Sequence, residues 1–378
     1  MEPNEYLDEN LLDALLGEDF DALEQFDLFA CDTRGQNLLY YAIRQKVHRV
    51  FAYLLERGLS VNQENHFKDT PLHAAAYIGE ADMVSALLQK DAAIDARNKK
   101  GITPLMFAAR KGDLKTVETL LNAGADLSIR DKEGLSVAFH AVRSKKREVF
   151  EYLLDAGANP FAFSAQRDTL HHAVAAYGTL PMQKRLFEEK LTPYIKNLYG
   201  VSPLHEASKR SDNAMVDNLL FYGLSPSEQD RFQNDAFAYA QEAGDVSMQL
   251  YRFENRPKIR ENLGALPLHK ALRKGRYDEA EALIKMRRGI DQKDCFYNKP
   301  LFYALLNGDI DLIKALLESD VSAFDIDAFG HSAIFYAILF KNLKAIELLK
   351  DKKKDVLDKP AKRLLKTSDA SVQKQFFH

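Results

Sequence analysis

Two short apolar runs separated by a glycine, then a polar tip, make up the motif that recurs along this chain. It is clearest from Lys68 to Gly101. Asp69-Thr70-Pro71-Leu72-His73-Ala74-Ala75-Ala76 breaks at Gly79 and resumes as Met83-Val84-Ser85-Ala86-Leu87-Leu88. The polar segment Asp95 to Lys100 then leads to Gly101, where the pattern begins again. Two runs of this length predict a helix-turn-helix pair with too little apolar surface to fold alone, so that stacking on neighbours must supply the rest. The turn position recurs at Gly35, Lys68, Gly101 and Gly134, 33 residues apart each time. It continues at Gln166, Gly200, Gln233, Gly264, Tyr297 and Gly330. A second marker runs in phase as Ala42, Ala75, Ala108, Ala141, Ala173, Ala207, Ala240, Ala271, Ala304 and Ala337. A third is the pair Leu54-Leu55, Leu87-Leu88, Leu120-Leu121, Leu153-Leu154, Leu219-Leu220, Leu316-Leu317 and Leu348-Leu349. The register gives ten units.

Residue types explain the unit. Glycine at the turn permits a positive φ. Thr-Pro opens the first helix, threonine capping exposed amides and proline losing no needed donor. Alanine lets inner helices approach closely, leucine pairs fill the space between layers, and Gly58, Gly124, Gly157 and Gly223 end the second helix. T-P-L-H-x-A-A at Thr70–Ala76, in a unit of about 33 residues, is the ankyrin signature. The sequence thus resembles the ankyrin-repeat family. The resemblance implies an all-α solenoid of stacked helix-turn-helix units with short β-turn or hairpin loops, curved into a superhelical array.

Residues 1–34 hold eleven Asp or Glu and no Lys or Arg before Arg34. Apolar faces at Leu11, Leu12, Leu15 and Leu16, then at Phe20, Leu23 and Phe26, predict two short helices acting as an N-terminal cap. The array follows over 35–349. Residues 350–378, with Val356-Leu357, Leu364-Leu365, Val372, Phe376 and Phe377, are expected to form a helical C-terminal cap or tail. The unit from Gln166 lacks proline and carries an insertion near Gly178–Pro181, and the unit from Gln233 is two residues short. Altered curvature or a break is expected near 166–180 and 250–262, within one continuous array.

Composition narrows the class. The chain is 46% hydrophobic and 28% charged with a net charge of −3, ordinary for a folded protein and with no demand for nucleic acid or membrane. Cys31 and Cys295, far apart, make neither a disulfide scaffold nor a cysteine metal site. The first twenty residues lack a basic and an apolar signal region, and no apolar run approaches the ~18 residues a membrane helix needs. A cytoplasmic monomer is the expectation, although secretion independent of an N-terminal signal would leave no trace.

His73, His205 and His269 follow a leucine in the signature, which the resemblance implies is a structural position bonding to the turn Thr/Ser or the next repeat's backbone. The adjacent His171-His172 pair has no Cys, Asp or Glu at ligand spacing, so no metal is expected. No nucleophile elbow, phosphate loop or zinc-protease motif occurs, and no cofactor is expected. The resemblance implies instead a non-catalytic scaffold that binds a protein on its concave side, through turn tips and inner-helix ends. Carried over to this chain, the candidates are His66, Phe67, Tyr77, Ile78, Lys99, Lys100, Arg110, Lys111, Arg143, Tyr199, Lys209, Arg210, Phe232, Arg273 and Lys274. Arg34, Arg44, Gln45, Phe296, Phe329, Leu339 and Phe340 occupy equivalent positions, the last three expected under the C-terminal cap. Aromatic groups at tips are interface anchors, and the basic pairs imply a partner that is acidic there. The alternatives are a delivered bacterial effector or immunity-type protein that modulates a target, and the targeting part of an enzyme whose chemistry the sequence does not display.

Overall fold

A computed structural model describes residues 9–240, 266–273, 275–293, 298–319, 321–323, 325–327, 330–352, 357, 359–366 and 368–377. Among the described residues there are 23 helices and no strand, with one isolated antiparallel bridge between Ile326 and Ser332. Nine complete inner–outer helix pairs are present, from Leu38–Arg44 with His48–Glu56 to Ala333–Leu339 with Leu343–Lys352. The expected irregularity at 250–262 lies outside the described residues.

The unit at Thr70 shows how the sequence builds each pair. Thr70 is extended, and its N–H donates to Nδ1 of His73 at 3.0 Å, closing a capping box ahead of Pro71–Ile78. Gly79 ends that helix at φ +87, a left-handed cap, and Ala81–Gln89 follows as the outer helix. Leu72, Ala75, Ala76, Val84 and Leu87 are fully buried. Inner helices pack on inner helices and outer on outer, so each unit completes the core of its neighbour. Burying one such leucine is worth roughly 1.5–3 kcal/mol.

The tips are held by a residue three before the turn. Asp32, Asn65, Asn98, Asp131, Asn197 and Asp230 each accept from the backbone N–H groups two and four residues on, at 2.8–3.1 Å. Their remaining atoms are satisfied in two ways. The aspartates take a donor nine residues on: Tyr41 for Asp32, His140 for Asp131, Tyr239 for Asp230 and Tyr336 for Asp327. Asn98 and Asn197 instead donate Nδ2 to Asp69 and Asp168 of the preceding unit. Acid or amide is therefore matched to what the helix offers.

One register assignment needs correcting. In the fifth unit the positive φ falls on Arg167 (+64), not Gln166, and the buried inner-helix position is Val174, not Ala173. The signature histidine there is His172, whose Nε2 donates to the carbonyl of Val201 at 2.9 Å. Lys68, Arg167 and Gln233 show that the turn accepts a side chain.

The chain divides into two compact units, Met1–Ala165 with Tyr177–Met182, and Gln166–Ala176 with Gln183–His378. The first opens with helices Glu9–Leu16 and Phe20–Leu23, which bury Leu11, Ala14, Leu15 and Leu23. Leu16 is 53% exposed, so that helix hides a narrower stripe than its four leucines imply. In the second, Lys359–Lys366 packs on Ala333–Leu339 and Ala370–Phe377 on Leu343–Lys352, burying Leu364, Leu365 and Val372. The same unit brings its last repeat and the helix after it against its first: Arg167 lies 5.1 Å over the Phe340 ring, and Arg363 of Lys359–Lys366 pairs with Glu189 at 3.6 Å. Leu339 is buried and Phe340 half-buried, while Phe296 and Phe329 lie outside the described residues.

Candidate protein-binding groove

In the first unit the tips form a backbone ladder. His66 N–H donates to the Arg34 carbonyl at 2.7 Å, Lys99 to Phe67 at 2.8 Å and Lys132 to Lys100 at 2.9 Å. With its main-chain groups consumed along the ladder, each tip presents side chains outward. His66, Lys99 and Lys100 are exposed, and Phe67 is 60% exposed.

Behind the tips runs the free face of the inner helices. Tyr77, 56% exposed, meets the edge of Phe107 at 5.7 Å, and His73 meets the same ring at 5.8 Å. Ile78 is half-buried beside them. These groups, with Asn65 and Asp69 of the tip and Tyr40 and Arg44 of the preceding helix, line a groove of about 320 Å³. Its floor is rigid. Tyr40 donates its hydroxyl to the Gln63 carbonyl at 2.8 Å, and burial together with the Asp69 charge pushes its pKa far up, so it stays a neutral donor. His73 donates from Nε2 to the Ile102 carbonyl at 3.1 Å, and burial lowers its pKa, leaving it neutral near pH 7.

Among the cations of this unit those on outer helices are paired, as are Lys46 with Glu80 at 2.7 Å and Lys68 with Glu64 at 3.9 Å, while several on tips and inner-helix ends are not. Arg49 pairs with Glu18 at 2.7 Å, Lys115 with Asp82 at 2.8 Å and Arg147 with Glu151 at 2.8 Å, all on outer helices. Arg44, Lys99, Lys100, Arg110 and Lys111, on tips and inner-helix ends, form no ion pair with a described residue. Arg143 is exposed and lies 5.1 Å over the Tyr177 ring.

In the second unit Tyr199 and Phe232 are 49% and 69% exposed on adjacent tips, joined by the Arg231 N–H donating to the Tyr199 carbonyl at 2.8 Å. Lys209 is exposed, whereas Arg210 is half-buried and lies 3.5 Å from Asp212. The side chain of Arg273 and all of Lys274 lie outside the described residues.

The sequence reading missed Tyr40, Asp69 and Phe107 as groove residues. A signal was present, because Ala74 and Phe107 stand four positions before Ile78 and Lys111 and so share a helix face with them. The histidines take the structural places expected of them. His205 accepts at Nδ1 from the Ser202 N–H at 3.1 Å, and the Nε2 atoms of His205 and His269 donate to the carbonyls of Glu228 and Asn298. His171 is a second, separate buried group, bonded to Gln183 at 2.9 Å and to the Leu191 carbonyl at 3.0 Å. Among the described residues no three of His, Cys, Asp or Glu gather as a metal-ligand set, and no helix is long and apolar enough to cross a membrane.

Comparison with known proteins agrees with this construction. The family model "Ankyrin repeats (3 copies)" matches residues 5–98, 39–131, 90–164 and 286–359. The human ASB11 ankyrin repeat domain is 25% identical with a TM-score of 0.53, the match covering 59% of this chain and 100% of that one. The ankyrin repeat domain of Bcl-3, a unique member of the IkappaB protein family, is 26% identical with a TM-score of 0.46, covering 57% of this chain and 100% of that one. No curated protein matches. Repeats of this kind typically mediate protein–protein interaction. With its capped helix pairs, laddered tips and signature histidines, this chain belongs to the ankyrin-repeat family.

Proposed function

We propose that the chain is a non-catalytic protein-binding scaffold, and that the groove of its first unit holds an acidic segment of the partner. The observation that carries this reading is the set of cations without ion pairs, Arg44, Lys99, Lys100, Arg110 and Lys111, around an aromatic groove at Tyr77 and Phe107. The outer-helix cations of this unit, Arg49, Lys115 and Arg147, have carboxylates of their own, so an acidic partner gains more on the groove face. Tyr77 and Ile78 offer the apolar anchor, since a few buried aromatic contacts carry most of an interface's energy. The exposed cations set the approach and its dependence on salt.

The test is binding of the captured partner, and of acidic peptides from it, to the intact chain and to two variants. Reversing Arg110 and Lys111 to Glu is expected to weaken binding about tenfold or more, ~1.4 kcal/mol, and to flatten the salt dependence. Tyr77→Ala is expected to cost at least about 1 kcal/mol with the salt dependence unchanged. Affinity untouched by both changes would remove the groove from the function.

A further inference from the structure

The last turns of the inner helices repeat in register across the first unit. Arg44, Tyr77, Arg110 and Arg143 stand 33 residues apart, each near the C-terminal end of its helix and each exposed. Equivalent places on stacked helices form one row, which reads cation, aromatic, cation, cation. The places beside it turn from Ile78 to Lys111 in the same way, and the tips turn from Phe67 to Lys99 and Lys100. At all three levels apolar gives way to basic between the second repeat and the third.

The members of the row differ in setting. Arg44 and Tyr77, with Tyr40, Ile78 and Phe107, line the pocket of about 320 Å³, which has room for one large side chain. Asp69 lines the same pocket, its Oδ1 accepting from Nδ2 of Asn98 at 2.8 Å, and its charge repels an acid there. The pocket therefore favours an uncharged ring or aliphatic group, while the cations on either side favour acids. Arg143 lies 5.1 Å over the Tyr177 ring, which holds it at the surface. Like Arg44 and Arg110, it forms no ion pair with a described residue.

Successive inner helices pack side by side. Packed helices lie about 8–10 Å apart, and an extended chain advances about 3.3 Å per residue. One step along the row is thus about three residues of an extended partner. We infer that the groove reads an extended segment by spacing: an acidic residue, an aromatic or large aliphatic residue three positions on, and acidic residues six and nine positions on. These seat on Arg44, Tyr77, Arg110 and Arg143 in turn. The register rests on the proposed binding of an acidic segment and fixes how that segment is spaced. Each acid gains a guanidinium whose parallel N–H donors fit a carboxylate. The ring gains the apolar pocket, where the few decisive contacts of an interface are made. A segment of equal composition out of register brings an acid against Asp69 or leaves the pocket empty.

Fluorescence anisotropy of the full chain with labelled synthetic peptides of about ten residues tests the register, since so short a peptide holds no stable helix of its own. One peptide carries Asp, Phe, Asp and Asp at every third place with Gly and Ser between, a second has the reverse order, and a third has the same composition with its acids adjacent. The first or the second is expected to bind about tenfold or more tighter than the third. Arg143→Gln is expected to weaken that peptide about two- to fivefold, as for an exposed charge pair, and to leave unchanged a version lacking the outer acid of its pair. Tyr77→Ala is expected to erase the preference for Phe over Ser at the aromatic place. Equal binding of all three peptides overturns the register, as does binding of none. In either case, loss of the captured partner on reversal of Arg110 and Lys111 to Glu leaves the acidic-segment reading standing, so the two fail separately.

Discussion

Histidine in these repeats is a brace between backbone segments, and burial keeps it neutral. His73, His171, His172 and His205 all have their pKa lowered chiefly by loss of solvent, His171 to about 4 from an ordinary 6.5. The unfolded chain takes up these protons first. Their contribution to stability is thus complete above about pH 6.5 and is lost as pH falls below it, the His171 share being spent near pH 4. For His171 alone that share is about 3 kcal/mol. Urea midpoints measured from pH 7 to pH 4.5 should fall steadily, and His171→Gln should flatten the slope; an unchanged slope would contradict neutral burial. The turn aspartates add a second effect. Burial works against the Asp131 charge, but His140 and the amides of Leu135 and Glu133 outweigh it and hold the carboxyl below its usual range. A double-mutant cycle of Asp131→Asn with His140→Phe should return a coupling of about 1–3 kcal/mol, whereas additive effects would mean the pair is incidental.

At the scale of the element, the tip ladder decides which glycines matter. Gly134 and Gly58 have nearly the same backbone, φ +76 and +80. A Cβ on Gly134 would stand 2.8 Å from the Ala165 amide nitrogen of the next tip, while one on Gly58 meets nothing within 4 Å. Gly58→Ala should cost only the left-handed conformation, roughly 1–2 kcal/mol. Gly134→Ala should cost clearly more, because the next tip must shift and the Ala165 N–H donation to the Glu133 carbonyl is strained. Equal shifts in melting temperature for the two variants would show that the ladder bears no load. The thirty-three-residue period makes both glycines visible in the sequence, but only the stacking of tips tells them apart.

For the whole molecule, two compact units imply two cores. Leu87 belongs to the first and Leu316 to the second, and both are fully buried. Truncating either to alanine should cost about 2–5 kcal/mol. Leu87→Ala is expected to move one step of a two-step urea transition and Leu316→Ala the other. A single transition that moves equally with both variants would mean the units unfold together.

The sequence by itself determined the helix pairs, the period and the structural place of the histidines. Each follows from local chemistry repeated in register: Thr70-Pro71 starts a helix, Gly79 stops one, and alanine allows the next inner helix to approach. It did not disclose Arg167 as the fifth turn, because backbone φ at a degenerate unit leaves no compositional mark. Nor did it set apart the unpaired Arg110 from the paired Lys115, since an ion pair joins carboxylates about thirty residues away whose reach depends on stacking. The contact of Arg167 with Phe340 was likewise decided by tertiary structure alone. Residues far apart in a repeating chain carry no sequence record of which turn they will meet.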